Sequence, residues 1–117
     1  METCTIKVCH ENRLFPRVIV DGYLASESGD TLREVIIELL KTGKNEILLD
    51  FSKCSIISSP GVAAIFDSIC RIQEDYKGNS VIIGLDNAKK DFLMMTGILP
   101  MIESASTIEE AIDLMKK

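Results

Sequence analysis

The sequence predicts a mixed α/β fold, a β-sheet of four to five strands packed with four helices. Three observations carry that prediction. Ile47-Leu48-Leu49 and Val81-Ile82-Ile83 are short apolar runs without a polar break, as in strands buried on both faces. Around them, apolar residues recur at i, i+3, i+4 and i+7, the stripe of a helix with one face in a core. Residues 3–20 hold two strand-like stretches joined by a very short polar connection, which makes them an antiparallel hairpin. A hairpin followed by parallel strands with helical crossovers gives a mixed sheet with helices packed on it.

In chain order, residues 3–10 alternate roughly and read as the first strand. Glu11-Asn12-Arg13 is a polar turn. Leu14 to Val20 reads as the second strand, with Pro16 pointing to an edge or an irregular start and Asp21-Gly22 marking its end. Ser26 to Asp30 suits a helix start. Leu32, Val35, Ile36, Leu39 and Leu40 then form one stripe, and Gly43 takes the C′ role. The buried strand at 46–51 leads through Ser52 and Lys53 to Ile56-Ile57 and the turn Ser58-Ser59-Pro60-Gly61. The following helix carries Val62, Ile65, Phe66, Ile69 and Ile72, and Lys77-Gly78 closes it. After the strand at 81–83, Asp86 or Asn87 caps a third helix carrying Ala88, Phe92 and Met95, stopped by Gly97. Leu99 to Ile102 reads as a weak edge strand. Thr107-Ile-Glu-Glu110 matches a capping box opening the last helix, which offers Ile108, Ala111, Ile112 and Met115 to the core.

The totals exclude several classes. At 117 residues the chain reads as one domain, 1–117, with enough length for a real core. A net charge of −5, with 13 Lys and Arg in no basic block, argues against nucleic acid as a partner. The longest apolar run, Val62 to Phe66, is too short for membrane insertion, and no signal pattern opens the chain, so a cytoplasmic protein is expected. Cys4, Cys9, Cys54 and Cys70 show no C-x-x-C spacing and His10 is the only histidine, so no metal site is expected. Cys54 and Cys70 read as core residues, and Cys4 and Cys9 as opposite faces of the first strand. All four read as free thiols. Met94, Met95 and Met101 read as core filler.

No catalytic constellation stands out. There is no nucleophile–base pair close in sequence and no phosphate-cradling glycine motif, so neither an enzyme nor a cofactor is expected. The turn at 58–61 is the one specific signal. Serine suits a helix N-cap, and proline suits the first helical position. A buried strand thus runs into an exposed helix N-terminus whose backbone N–H groups point outward, a common place for sites in α/β sheets.

The stretch Ile47-Leu-Leu-Asp-Phe-Ser…Ser55-Ile-Ile-Ser-Ser-Pro-Gly-Val-Ala-Ala-Ile-Phe resembles the STAS domain of bacterial anti-sigma-factor antagonists. That family reads apolar strand, then D-[ST]-S-G-[LV]-x-x-[LI]. Asp21-Gly22-Tyr23-Leu24 resembles its G-E-L-D segment, with Leu32-Arg33-Glu34 following at the family's spacing. Met95-Thr96-Gly97-Ile98 resembles its x-x-G-L turn, and Thr107-Ile-Glu-Glu-Ala111-Ile its S-x-E-E-A-L final helix. The resemblance spans essentially the whole chain and implies a STAS-like sheet.

It also implies a function. Such proteins bind an anti-sigma factor with a kinase-like ATPase fold, which phosphorylates the serine before the motif glycine. Here that acceptor position is Pro60, the opening aspartate is Ser58, and the aspartate of G-E-L-D is Ala25, while Ser59 keeps a hydroxyl. The resemblance therefore implies a non-enzymatic regulator binding its partner through Ser58, Ser59, Pro60, Gly61 and Val62, without the usual phosphoswitch unless Ser59 serves. A homodimer stays open. The alternative is an accessory or scaffold subunit of a lipid transporter or a stressosome-type assembly, which shares the fold.

Overall fold

The structure, a computed structural model, describes residues 3–11 and 15–116. Asn12, Arg13 and Leu14, read as part of a turn and the start of a strand, lie outside the described residues. The expected hairpin is present. Strand β1 (Cys4–Cys9) pairs antiparallel with β2 (Arg17–Leu24), from Cys4 opposite Gly22 to Cys9 opposite Arg17. Strand β2 starts after Pro16 and runs on through Asp21-Gly22, beyond its expected end. It is also no edge. β3 (Glu46–Asp50) joins its first half in parallel, and β4 (Cys54–Ile57) joins its second half. The proline sits just outside the strand, where its missing N–H breaks no ladder.

The described residues form a six-stranded sheet, so the mixed α/β class holds with more strands than the four to five expected. Its order is β1-β2-β3-β5-β6, with β5 at Asn79–Ile83, β6 at Glu103–Ala105, and β4 also paired to β2. The extra strand is β4. Its Cys54 and Ile57 are buried while Ser55 and Ile56 are exposed, a pattern without the two-residue period of a strand. The expected edge strand at 99–102 is instead a 3-10 turn, Leu99–Met101. Pro100 lacks the N–H a ladder needs, and pairing is delayed to Glu103.

Helices α1 (Ser26–Lys41), α2 (Ser59–Cys70) and α3 (Asn87–Met95) cover one face, α4 (Ile108–Met115) the other. Val18, Val20, Ile47, Leu49 and Ile82 point into the first core; Phe15, Leu48, Val81, Ile83 and Ala105 into the second. This explains the two unbroken apolar runs: alternate residues serve opposite cores. Each such Ile or Leu contributes about 1.5–3 kcal/mol of burial.

The helices end as glycine dictates. Gly43, at φ +88°, follows α1, and the N–H groups of Gly43 and Lys44 return to Leu40 and Leu39. Gly97 closes α3 in the same way on Met94 and Leu93. Helix α2 continues as a π-helical turn, Arg71–Asp75, before Lys77 and Gly78. Several side chains depart from expectation. Phe66 faces outward at 45% exposure, while Ala64 and Ser68 take core positions on α2. On α3 the buried residue is Leu93, and Ala88, Met94 and Met95 are exposed, so these two methionines are not core filler. Cys70 is half-buried rather than core, whereas Cys54 is buried, and all four cysteines are free thiols.

Candidate functional site

The turn at 58–62 is built by β4 ending against the end of β2. Ser58 leaves β4 in an extended conformation (φ −86°, ψ 173°) and is the N-cap of α2. Its N–H and its Oγ–H both donate to the Leu24 carbonyl, at 2.9 and 3.1 Å, while Oγ accepts from the Gly61 N–H at 3.3 Å. That hydroxyl is fully employed in joining α2 to β2. Ser59 and Pro60 follow as the first two helical residues, so Pro60 stands at the second position rather than the first. The N–H groups there have no partner within the helix, and proline loses nothing by lacking one. A Cβ on Gly61 would lie 2.5 Å from the Leu24 carbonyl oxygen, so only glycine lets α2 approach β2 this closely.

The five candidate residues therefore divide. Ser58 is half-buried and Gly61 buried, and both hold the turn together. Val62 is half-buried against the first core. Ser59 and Pro60 are exposed, and the Ser59 hydroxyl has no hydrogen-bond partner among the described residues. What this corner exposes is one free hydroxyl, a proline ring and the positive end of a helix with no acid in its first turn.

Helix α1 starts alongside. Its N-cap, Ala25, has no side-chain cap; the Ala25 N–H is satisfied instead by Ser28 Oγ at 2.8 Å. A Cβ on Gly29 would sit 3.0 Å from the Ala64 Cβ and 3.5 Å from the Pro60 carbonyl, so the two helices touch at their first turns. Arg33 ties them further along, reaching Asp30 and Asp67 at 2.9 Å each.

Sequence reasoning missed a second polar cluster. Asp50, at the end of β3, is buried at 3% exposure. Its Oδ1 accepts from the Ser52 N–H (2.9 Å) and hydroxyl (2.7 Å), and its Oδ2 from Arg17 at 2.7 Å. Burial alone would raise the carboxyl pKa, but the hydrogen bonds from Ser52 and Arg17 outweigh it and hold it below the usual range. A carboxylate so saturated is no general base. It borders a cavity of about 280 Å³ with Arg17, Ser52, Gly84, Thr107 and Ile108. The only sequence signal was an acid ending an apolar strand.

Other chemistry finds little support in the geometry. His10 lies beyond β1, whose end is opposite Arg17, while Ser58 adjoins Leu24 at the far end of β2. Seven residues of strand, about 23 Å, separate those ends, so no Ser–His pair forms here. Burial pushes the Cys54 thiol up to about 11, leaving it protonated at neutral pH. Among the described residues no group of three or more His, Cys, Asp or Glu could hold a metal, and no helix is long and apolar enough to cross a membrane.

Solved structures share this architecture. The anti-sigma factor antagonist SpoIIAA in its unphosphorylated form matches with a TM-score of 0.78 over 96% of each chain, at 19% identity. The phosphorylated form of SpoIIAA from Bacillus matches at 0.71 over 94% of this chain and 98% of that one, at 22% identity. An anti-sigma factor antagonist from Mycobacterium paratuberculosis matches at 0.80 over 100% of this chain and 96% of that one, at 14% identity. Identities this low speak for the fold alone. No curated protein matches the sequence. The family model described as STAS domain matches residues 12–111, a span holding every buried core residue but Met115 and the capped turn between β4 and α2. The chain belongs to the STAS domain family.

Proposed function

We propose that this chain is a cytoplasmic, non-enzymatic regulator of bacterial transcription, an anti-sigma-factor antagonist without the usual serine phosphoswitch. It docks an anti-sigma factor with a kinase-like ATPase fold on the exposed part of the Ser58–Val62 turn and the helix behind it. The observation that carries the reading is the division of the turn: Pro60 stands exposed at the acceptor position, and the neighbouring Ser58 hydroxyl is engaged with Leu24 and Gly61. Ser59 is left as the one free hydroxyl of the turn. Successive helical side chains differ in direction by about 100°, so a kinase aimed at position 60 meets Ser59 at the wrong angle.

Incubation with the anti-sigma factor of the native host and ATP, read by intact mass, tests both halves. The parent protein is expected to bind and to take up little or no phosphate, and Pro60→Ser to regain part of the acceptance. Ser59→Glu is expected to weaken binding by roughly 1–3 kcal/mol, because it places a carboxylate at the centre of the contact. Stoichiometric phosphate on Ser59 of the parent would show a switch that has moved. Unchanged affinity in Ser59→Glu would put the binding surface elsewhere.

A further inference from the structure

At the other end of α1, away from the turn, the sheet has an open side. Strand β1 is the outermost strand, six residues long with no proline, and no described strand pairs with its outer edge. The Tyr23 N–H bonds to the Thr3 carbonyl and the Gly22 N–H turns away to Lys53. By alternation, the N–H groups of Ile6 and Val8 point out of the sheet. Beside this edge runs a groove of about 660 Å³ between β1 and the second half of α1. Val8, Val35 and Leu39 form its floor, and Glu34, Glu38 and Lys44 stand on its rim.

Glu34 and Glu38 are exposed, one helical turn apart, and neither is in an ion pair with another described residue. Like charges at i and i+4 repel, and an incoming cation relieves that repulsion. We infer that the β1 edge and this groove bind an extended, basic segment of a partner protein. The segment adds as a strand to β1 and turns every second side chain toward α1, an apolar one onto Val8, Val35 and Leu39 and the Lys or Arg two residues to either side of it against Glu34 and Glu38. A second copy of the chain fits worse. Pairing β1 with its own copy about a two-fold axis keeps both α1 helices on the same face, one acidic helix opposite the other.

A seven-residue peptide with valine at its centre, lysine two residues to either side of it and threonine elsewhere, titrated into the 15N-labelled full chain, tests this. Saturable shifts are expected at Ile6, Val8 and residues 34–44, with slowed amide exchange at Ile6 and Val8 and none at 58–62. Glu34→Lys with Glu38→Lys, both at exposed positions, is expected to weaken binding about tenfold while the spectrum stays folded. Three results would overturn the inference: no saturable shift at millimolar peptide, equal binding of the same peptide with glutamate in place of lysine, or Ile6 and Val8 already protected by a concentration-dependent dimer. None of them bears on the turn at 58–62.

Discussion

Asp50 shows how a single side chain can be structural while looking functional. It is the only charged side chain buried among the described residues, and each of its oxygens is occupied. Its folded pKa is lowered, so its stabilisation is complete above the unfolded value near 4 and is lost as pH falls through the folded value. Urea midpoints are therefore expected to drop below about pH 4, and less steeply in Asp50→Asn. At pH 7 that variant is expected to lose about 1–3 kcal/mol, the worth of hydrogen bonds to a charged group. An acid limb unchanged by the substitution would assign the loss to other carboxylates. Neither Arg17–Asp50 nor Ser58–Leu24 was legible in the sequence, because 33 and 34 residues separate the partners. The capping role of the 58–61 turn was legible, because a cap and its helix are neighbours in the chain. Which serine stays free depended on the distant Leu24 carbonyl.

At the scale of elements, the start of α1 is the weakest joint. Ala25 has the extended conformation of an N-cap (φ −132°, ψ −158°) but no side chain to accept from the first turn. Ala25→Asp is expected to raise stability by about 0.5–1 kcal/mol through the missing cap and the helix dipole, as a higher thermal midpoint at pH 7. A lowered midpoint would mean that the half-buried site does not let the new carboxylate reach the N–H groups of the first turn. The long amphipathic helices and the two doubly buried strands could be read directly, since their periods repeat over many residues. β4 and β6 could not. One is four residues with buried ends and exposed middle, and the other follows a proline-bearing turn that displaced the expected strand. Short strands owe their existence to the neighbour they pair with, and β4 exists because the eight-residue β2 offers an edge longer than β3 fills.

At the scale of the whole molecule, the sheet separates two cores of unequal cover, three helices on one face and α4 on the other. The turn at 58–62 belongs to the larger core and is fastened to it twice, by the Leu24 carbonyl and by the contact of Gly29 with Ala64. Ser58 donates to that carbonyl through both its N–H and its hydroxyl, so the turn cannot shift outward without breaking both hydrogen bonds to the end of β2. Under the proposed function, a partner arriving there meets a finished shape. Association should then be a single second-order step, with a rate constant of about 10⁵–10⁷ M⁻¹s⁻¹. In stopped-flow mixing the observed rate should rise linearly with partner concentration, and a plateau would reveal a rearrangement that this fastening is built to forbid.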